Sequence, residues 1–570
     1  ILKVVIASSL AFCTLNFTGK SMLTNVQALE ETQSTKEYEL YPIPHSIRYT
    51  GQDFILRDNL NVVFGEGIDK ETKERLKEVA ALKNLNVKNG TEIEDTNKTT
   101  NVLVGIYNSG DVADEYVKAD KSTLFEKLDS YYLSIDNGTI VILGKDTDAA
   151  FYGLTTLYHI FAQMDSRTIL NLTIEDYADV KSRGFIEGYY GNPWSTSDRC
   201  DLMEWGGYYK LNSYFYAPKD DAKHRTQWNI LYTDDEIKNK IDPLVKAGND
   251  SKCRFVFALH PFPHGNSFNF NNYDASLAAL KAKYKQVIDR GARQIALLAD
   301  DFVNPGGENE KRILNDLTAW LKGEVKREYP DMKTTIPFVP FDYMGNGSSA
   351  EFTPLKQTNP EDVQIVMTGG RIWGEVTTSF TDTFTRNTGR GPYMWINWPC
   401  SDNSHSHLIM GGYKTFLHAG VSPSNIQGII LNPMQQSKPS KVAIFGNAAY
   451  SWHIWTEAEA DQAYEDSFKY VDHNSAIETG ASNALKELSK HMINQNMDGR
   501  VTKLEESVEL KPILNDFINK LKDGTLTDED YARVREEFEI LKDAVKVFKA
   551  SGNEGLLERE QMGVFLDCWE

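Results

Sequence analysis

The chain has 570 residues, of which 41% are hydrophobic and 11% aromatic. That is too long for one ordinary domain and too apolar for wholesale disorder. The formal net charge of -20 repels polyanions over long range, which argues against nucleic acid and anionic membranes as partners.

The first residues read as a targeting segment. Lys3 supplies a positive charge, the run from Val4 to Phe12 is mostly apolar, and Val26-Gln27-Ala28 offers a small-residue cleavage site, so residues 1–28 are expected to be a signal peptide. The apolar run is too short to span a bilayer. Cys13 raises a lipoprotein alternative, but Phe12 before it is too large for the usual lipidation signal. A start at Ile1 rather than Met suggests missing residues upstream. The other cysteines, Cys200, Cys253, Cys400 and Cys568, are scattered singly without a C-x-x-C pair, which favours isolated thiols over a zinc ribbon or disulfide framework. No later segment is apolar enough to cross a membrane, so no membrane span is expected.

Residues 38–175 read as a small α/β domain. YELYPIPHSIRYT is an extended segment that Pro42 and Pro44 confine to an edge. SYYLSIDNGTIVILGKD signals a hairpin turning at Asp136-Asn137-Gly138, and AAFYGLTTLYHIFAQM is helical in period. Over 178–460, short apolar runs alternate with amphipathic stretches: RGFIEGYYG, LNSYFYAPKDD, CRFVFALHP, RQIALLADDF, TTIPFVPFDY, DVQIVMTGG, GPYMWINWP and GIILNP. Eight strands alternating with helices predict a (β/α)8 TIM barrel. The runner-up, a doubly wound sheet, lacks the G-x-G-x-x-G of dinucleotide binding. Residues 461–570 read as a helical bundle. The chain ends at Glu570 within a helical pattern, so a continuation is expected, with room for cell-surface attachment.

TIM-barrel active sites form where the strands end. Nearly every predicted strand here ends in a polar group: Gly188 to Tyr190, Lys219 with Asp220 and Asp221, His260, Asp300 with Asp301, Asp342 with Tyr343, Thr368, Asn397 followed by Asp402, and Asn432. Asp300-Asp301 follows the apolar run Ile295 to Ala299, at a barrel mouth rather than in a solvated loop. Two close carboxyls resist ionising together, so one is expected to stay protonated as a general acid. Adjacent residues suit poorly an ordinary retaining mechanism, which sets one carboxylate on each side of the sugar about 5–5.5 Å apart. They suit substrate assistance, in which a 2-acetamido carbonyl is the nucleophile. One aspartate then steadies the acetamido group and the other moves the proton.

The segments RGFIEGYYGNPWS, YAPKDD, ALLADD, WINWPCSDNSHSHLIMGG and LNPMQQSKPSKVAI resemble, in order, the signatures of glycoside hydrolase family 84. These are the bacterial and animal O-GlcNAcases and hyaluronidase-like β-N-acetylglucosaminidases. YPIPHSIRY and GKDTDAAFYGLTTL are similar to the small domain preceding the barrel in these enzymes and in hexosaminidases. The resemblance implies a secreted bacterial enzyme that removes terminal β-linked N-acetylglucosamine from a glycan or glycoprotein through an oxazoline, with no cofactor. It implies Asp300 as the residue orienting the acetamido group, Asp301 as general acid/base and Tyr343 as donor to the acetamido oxygen. It further implies Asp402 and Asn432 on sugar hydroxyls, and Gly188 and Lys219 in the sugar pocket beside Thr368. Trp395 would wall the acetamido pocket, with Asn397 hydrogen-bonding in the same site. The chain departs from the pattern at Met367, where Trp is common before Thr-Gly, and at Asp342, where Glu often precedes the tyrosine.

Blander readings accompany several motifs. His405-Ser406-His407 follows the seventh strand without further ligands, so no metal is expected. Lys219 would keep Asp220 and Asp221 ionised, making them structural or rim residues. Trp194, Trp452 and Trp455 read as core, and Tyr189 and Tyr190 either face the sugar or pack between strand and helix. Two further functions stay open. An endo-acting hyaluronidase would need a basic groove, and a silent carbohydrate-binding protein would not need two aspartates and Tyr343.

Overall fold

The computed structural model describes residues 37–402, 405–495 and 499–569; the expected signal peptide and Cys13 lie outside them. The first strands are β1 (Ser46–Ile55), β2 (Asn59–Phe64), β3 (Asn86–Asn89), β4 (Thr100–Ile106), β5 (Leu128–Asp136), β6 (Thr139–Gly144) and β7 (Thr168–Ala178). They make one mixed sheet in the order β1-β7-β5-β6-β4-β2-β3. β1 is an edge strand, as the prolines imply, but its pairing begins only at Ser46, beyond both of them. β5 and β6 pair antiparallel from Asp136 opposite Thr139. Asn137 (φ 43°) and Gly138 (φ 85°) are both left-handed, which lets a two-residue turn match the strand twist. The helix Thr147–Ala162, N-capped by Asp146, packs on β4, β5 and β6.

Eight further strands, β8 (Ser182–Ile186), β9 (Ser213–Tyr216), β10 (Arg254–Leu259), β11 (Gln294–Leu298), β12 (Ile336–Val339), β13 (Val363–Met367), β14 (Tyr393–Ile396) and β15 (Gly428–Leu431), close into a parallel barrel. Each falls within one of the eight apolar runs, save that β8 begins one residue earlier, at Ser182. Successive side chains of a strand face opposite ways, and both faces here are covered. Ile186, Phe215, Val256, Leu298, Val366 and Ile430 belong to a cluster inside the barrel, whereas Phe185, Tyr214, Phe257, Leu297, Met367 and Leu431 pack outward against the helical layer.

The strands end there. Helices Glu457–His473, Gly480–Ser489, Leu510–Asp523 and Asp528–Ser551 follow. Within the region read as a helical bundle, the helix Gly480–Ser489 ends before Met492 and Gln495, which bond to the Met410 N–H and the Asn397 carbonyl of a barrel loop. Residues 39–570 form one compact unit, and one core cluster includes Tyr41, the barrel's outer layer and Val545 and Phe548 of the last long helix. The sheet of β1–β7 is tied to the barrel through buried Asp176, which accepts from Tyr131 Oη (2.7 Å), Lys210 Nζ (3.0 Å) and Trp452 Nε1 (2.9 Å). No helix among the described residues is long and apolar enough to cross a membrane.

Candidate active site

The strand alternation that fills the barrel also builds its mouth. The last inward apolar residue of β8 is Ile186, and Gly188 follows two positions on. In the same parity Ala217 leads to Lys219, Ala258 to His260, Leu298 to Asp300, Val366 to Thr368, Trp395 to Asn397 and Ile430 to Asn432. All of these except His260 line one cavity of about 300 Å³, within the range of small-ligand sites. Asp301, Tyr343 and Asp402 join them from the loops. All ten residues expected from the sequence therefore share one concavity.

Asp301 is the neighbour of an inward residue and would point away in a regular strand. It instead takes a left-handed backbone (φ 63°), a conformation uncommon for residues with a side chain and often found at functional sites. Tyr343 Oη donates to Asp301 Oδ1 at 2.9 Å. Burial, and then the Asp301 charge, push the phenol far above its usual range, so it stays a donor. Asp300 is 6% exposed. Its Oδ1 is buried without a hydrogen-bond partner among the described residues, 3.7 Å from His260 Nε2. That nitrogen lies 2.5 Å from the Asp300 carbonyl oxygen, and burial holds the imidazole below its ordinary pKa, favouring a neutral ring. His260 thus supports Asp300 from behind rather than lining the cavity.

The opposite wall is a chain of amides. Asn432 Oδ1 accepts the Gly188 N–H (3.0 Å), Asn432 Nδ2 donates to Asn397 Oδ1 (2.9 Å), and the same oxygen accepts Trp395 Nε1–H (2.8 Å). Asn397 Nδ2 donates to the Ile372 carbonyl (2.8 Å). Both polar ends of Asn397 are thus engaged by the protein, which orients Trp395 and Asn432. Thr368 likewise spends its hydroxyl on the carbonyl of Arg371 (2.6 Å). Asp402 Oδ1 accepts the Tyr190 N–H (2.8 Å) and the Cys400 thiol (2.9 Å). Burial raises both groups, which keeps the thiol a donor.

Tyr190 lines the cavity, with Lys219 Nζ 5.2 Å from its ring centroid, while Tyr189 is buried and donates to the Asn192 carbonyl. Val339, Val366, Ile372, Trp373 and Arg500 also line it. The two valines were legible as inward strand residues; the loop residues and Arg500 had no local signal. Met367 packs in the outer core, so its departure from the family pattern leaves the wall untouched. Asp342 does not line the cavity; its N–H donates to Glu351. Asp221 is structural, but Lys219 is not the reason. Burial raises its carboxyl, and the hydroxyl of Tyr216, the charge of Lys240 and the hydroxyl of Tyr232 outweigh that and hold it low. His407 pairs with Glu506 at 2.9 Å. Trp194, Trp452 and Trp455 are core.

A pair of carboxyls on one strand end, facing an aromatic wall braced by amides, makes this barrel mouth a glycoside hydrolase site. Residues 183–490 match the β-N-acetylglucosaminidase family, over half of the chain, and residues 37–177 match domain 2 of glycosyl hydrolase family 20. The chain belongs to the β-N-acetylglucosaminidases of glycoside hydrolase family 84. It is 35% identical to the solved structure of CpGH84D, with a TM-score of 0.85 over 94% of this chain and 87% of that one. The structure of CpGH84B, at 24% identity, shares the fold with a TM-score of 0.78, over 94% of this chain and 90% of that one. Protein O-GlcNAcase of Rattus norvegicus is 28% identical over 274 residues, 46% of this chain and 29% of that protein. The chain thus spans under a third of the length of the curated O-GlcNAcase it matches.

Proposed function

We propose that the protein is a retaining exo-β-N-acetylglucosaminidase that releases terminal β-linked GlcNAc from glycans or glycoproteins by substrate-assisted catalysis through an oxazoline. The observation that carries this reading is that adjacent Asp300 and Asp301 reach one cavity, the second by a left-handed turn. Neighbouring residues cannot easily flank an anomeric carbon from opposite faces, so the acetamido oxygen of the substrate supplies the nucleophile. Asp300 accepts the acetamido N–H and steadies the positive charge that develops. Tyr343 donates to the acetamido oxygen, releasing its bond to Asp301. Asp301 protonates the leaving oxygen and then takes a proton from water. Trp395 gives the acetamido methyl an apolar wall, and Asp402, Asn432 and Lys219 hold sugar hydroxyls. Export with loss of residues 1–28 belongs to the same reading, and the N-terminus of protein recovered from culture medium checks it.

The test is the pH–rate profile of wild type and Asp301→Ala on aryl β-GlcNAc substrates with good and poor leaving groups. The variant should lose activity by about 10²–10⁴-fold on the poor leaving group and much less on the activated one. Equal loss on both contradicts the acid/base assignment. Viscosity loss with hyaluronan would favour an endo-acting hyaluronidase, and binding without turnover a silent lectin.

A further inference from the structure

We propose that His260 is a positioning residue for the reaction, its ring holding the peptide unit between Asp300 and Asp301 in the orientation that turns the second carboxyl into the cavity. This rests on the glycosidase reading above and assigns the group that sets its general acid. The ring is buried, with His260 only 2% exposed, and burial holds the imidazole below its ordinary pKa. Its Nε2 lies 2.5 Å from the Asp300 carbonyl oxygen. A carbonyl only accepts, so the single proton of the neutral ring sits on Nε2. The other nitrogen, Nδ1, is buried without a hydrogen-bond partner among the described residues, which fits an unprotonated acceptor. Asp300 Oδ1 stands farther off, at 3.7 Å, beyond hydrogen-bond reach. The one N–H of the ring is therefore spent on the backbone and not on the carboxylate.

What that bond fixes is a plane. The Asp300 carbonyl and the nitrogen and Cα of Asp301 belong to one rigid peptide unit. Directly after it Asp301 takes φ 63°, a backbone disfavoured for a residue with a β-carbon and kept only where the surroundings over-determine it. With the peptide turned over, Asp301 would relax towards extended backbone. Alternation would then send its carboxyl to the side opposite Asp300, away from the Tyr343 hydroxyl it now accepts at 2.9 Å. His260 is itself held in place. Its N–H donates to the His224 carbonyl (3.0 Å), and the Val303 N–H donates to the Phe262 carbonyl (3.1 Å), tying the loop after β10 to the loop after β11. The Phe302 ring stands nearly perpendicular to the imidazole, at 87° with centroids 5.0 Å apart.

Three variants test this. His260→Gln keeps an N–H donor at about the reach of Nε2, His260→Asn stops short of the carbonyl, and His260→Leu fills space without a donor. Each is compared with wild type by kcat/KM on aryl β-GlcNAc substrates with a poor and an activated leaving group, by Ki for GlcNAc, and by thermal melts. His260→Leu should lower kcat/KM about 10²-fold on the poor leaving group, the size of an ångström-scale misplacement, and much less on the activated one, which needs little protonation. Ki should stay close to that of wild type, because Trp395, Asn397 and Asn432 do not touch this peptide, and His260→Gln should recover most of the loss. Should the leucine variant fail to fold, His260→Asn carries the same expectation against His260→Gln. Equal losses on both leaving groups would overturn the proposal. So would a glutamine variant no better than the asparagine one, or unchanged kcat/KM in all three. A wild type that hydrolyses neither substrate defeats the glycosidase reading itself.

Discussion

A β-carbon built on Gly188 would stand 2.5 Å from Cζ2 and 2.8 Å from Cη2 of Trp395. Trp395 cannot yield without losing its indole bond to Asn397 and, through it, the order of Asn432. A methyl group at this position therefore moves the wall of the sugar pocket. Gly188→Ala should raise KM for an aryl β-GlcNAc about tenfold or more and lower Tm as well, because the clash falls on a ring of the inner-barrel cluster. Steady-state kinetics beside thermal melts check this, and an unaltered KM would mean that Trp395 does not wall the substrate. At the same scale, Asp300 Oδ1 is buried with no hydrogen-bond partner among the described residues. A polar atom so placed costs stability, which is common where a site is arranged for a ligand rather than for the resting fold.

The loop after β12 shows how an element positions a residue it does not contain. Glu351 accepts the N–H of Phe341 (2.8 Å) and of Asp342 (2.9 Å), which sets the backbone just before Tyr343. Behind it lies Glu310, fully buried. Burial first, and then the neighbouring carboxylate of Glu351, push its carboxyl up to about 10. A carboxyl raised in the folded state binds more protons there than in the unfolded chain. Stability from this pair is therefore present in full below the ordinary carboxylate range and falls as pH rises from there towards about 10. Glu310→Gln removes the titration and keeps the shape. Its Tm should decline less than that of wild type between pH 5 and pH 9, and parallel melting curves across that interval would refute the pairing. Ionisation of Glu310 would also set two like charges beneath the Tyr343 loop, so activity should drop on the alkaline side before the protein unfolds.

The molecule as a whole is joined at Asp176, a residue of the N-terminal sheet that is buried completely and bonded to barrel residues Lys210 and Trp452. Burial raises its carboxyl, but the Lys210 charge and the bonds from His45 and Tyr131 outweigh that and hold it well below the usual range. Its contribution is therefore present above the ordinary carboxylate pKa and lost as pH falls through its lowered folded value. Asp176→Asn leaves Lys210 buried without a counter-charge, a change that costs about 3–5 kcal/mol. Urea unfolding followed by tryptophan fluorescence should show that loss, with activity kept at low temperature because no cavity residue moves. A loss below about 1 kcal/mol, the value of a surface pair, would mean that the junction does not depend on this charge.

Much of this architecture was legible before any contact was known. The positions of the eight barrel strands follow from apolar runs, and the residues at their mouth follow from alternation, because both are properties of neighbouring residues along the chain. Leu298 facing inward commits Asp300 to the same side two residues later, whatever the rest of the protein does. What each side chain is free to do was not legible. Thr368 and Asn397 reach the cavity, yet their polar atoms are spent on Arg371, Ile372, Trp395 and Asn432. Tyr190 and its neighbour Tyr189 take opposite roles, and Asp301 enters only by a left-handed turn. The sequence by itself determined the class of fold and which strand ends carry chemistry, since periodicity is local. Only the tertiary structure decided which donors remain open and that Arg500, from the far helical region, shares the same cavity, since such meetings depend on how the whole chain closes.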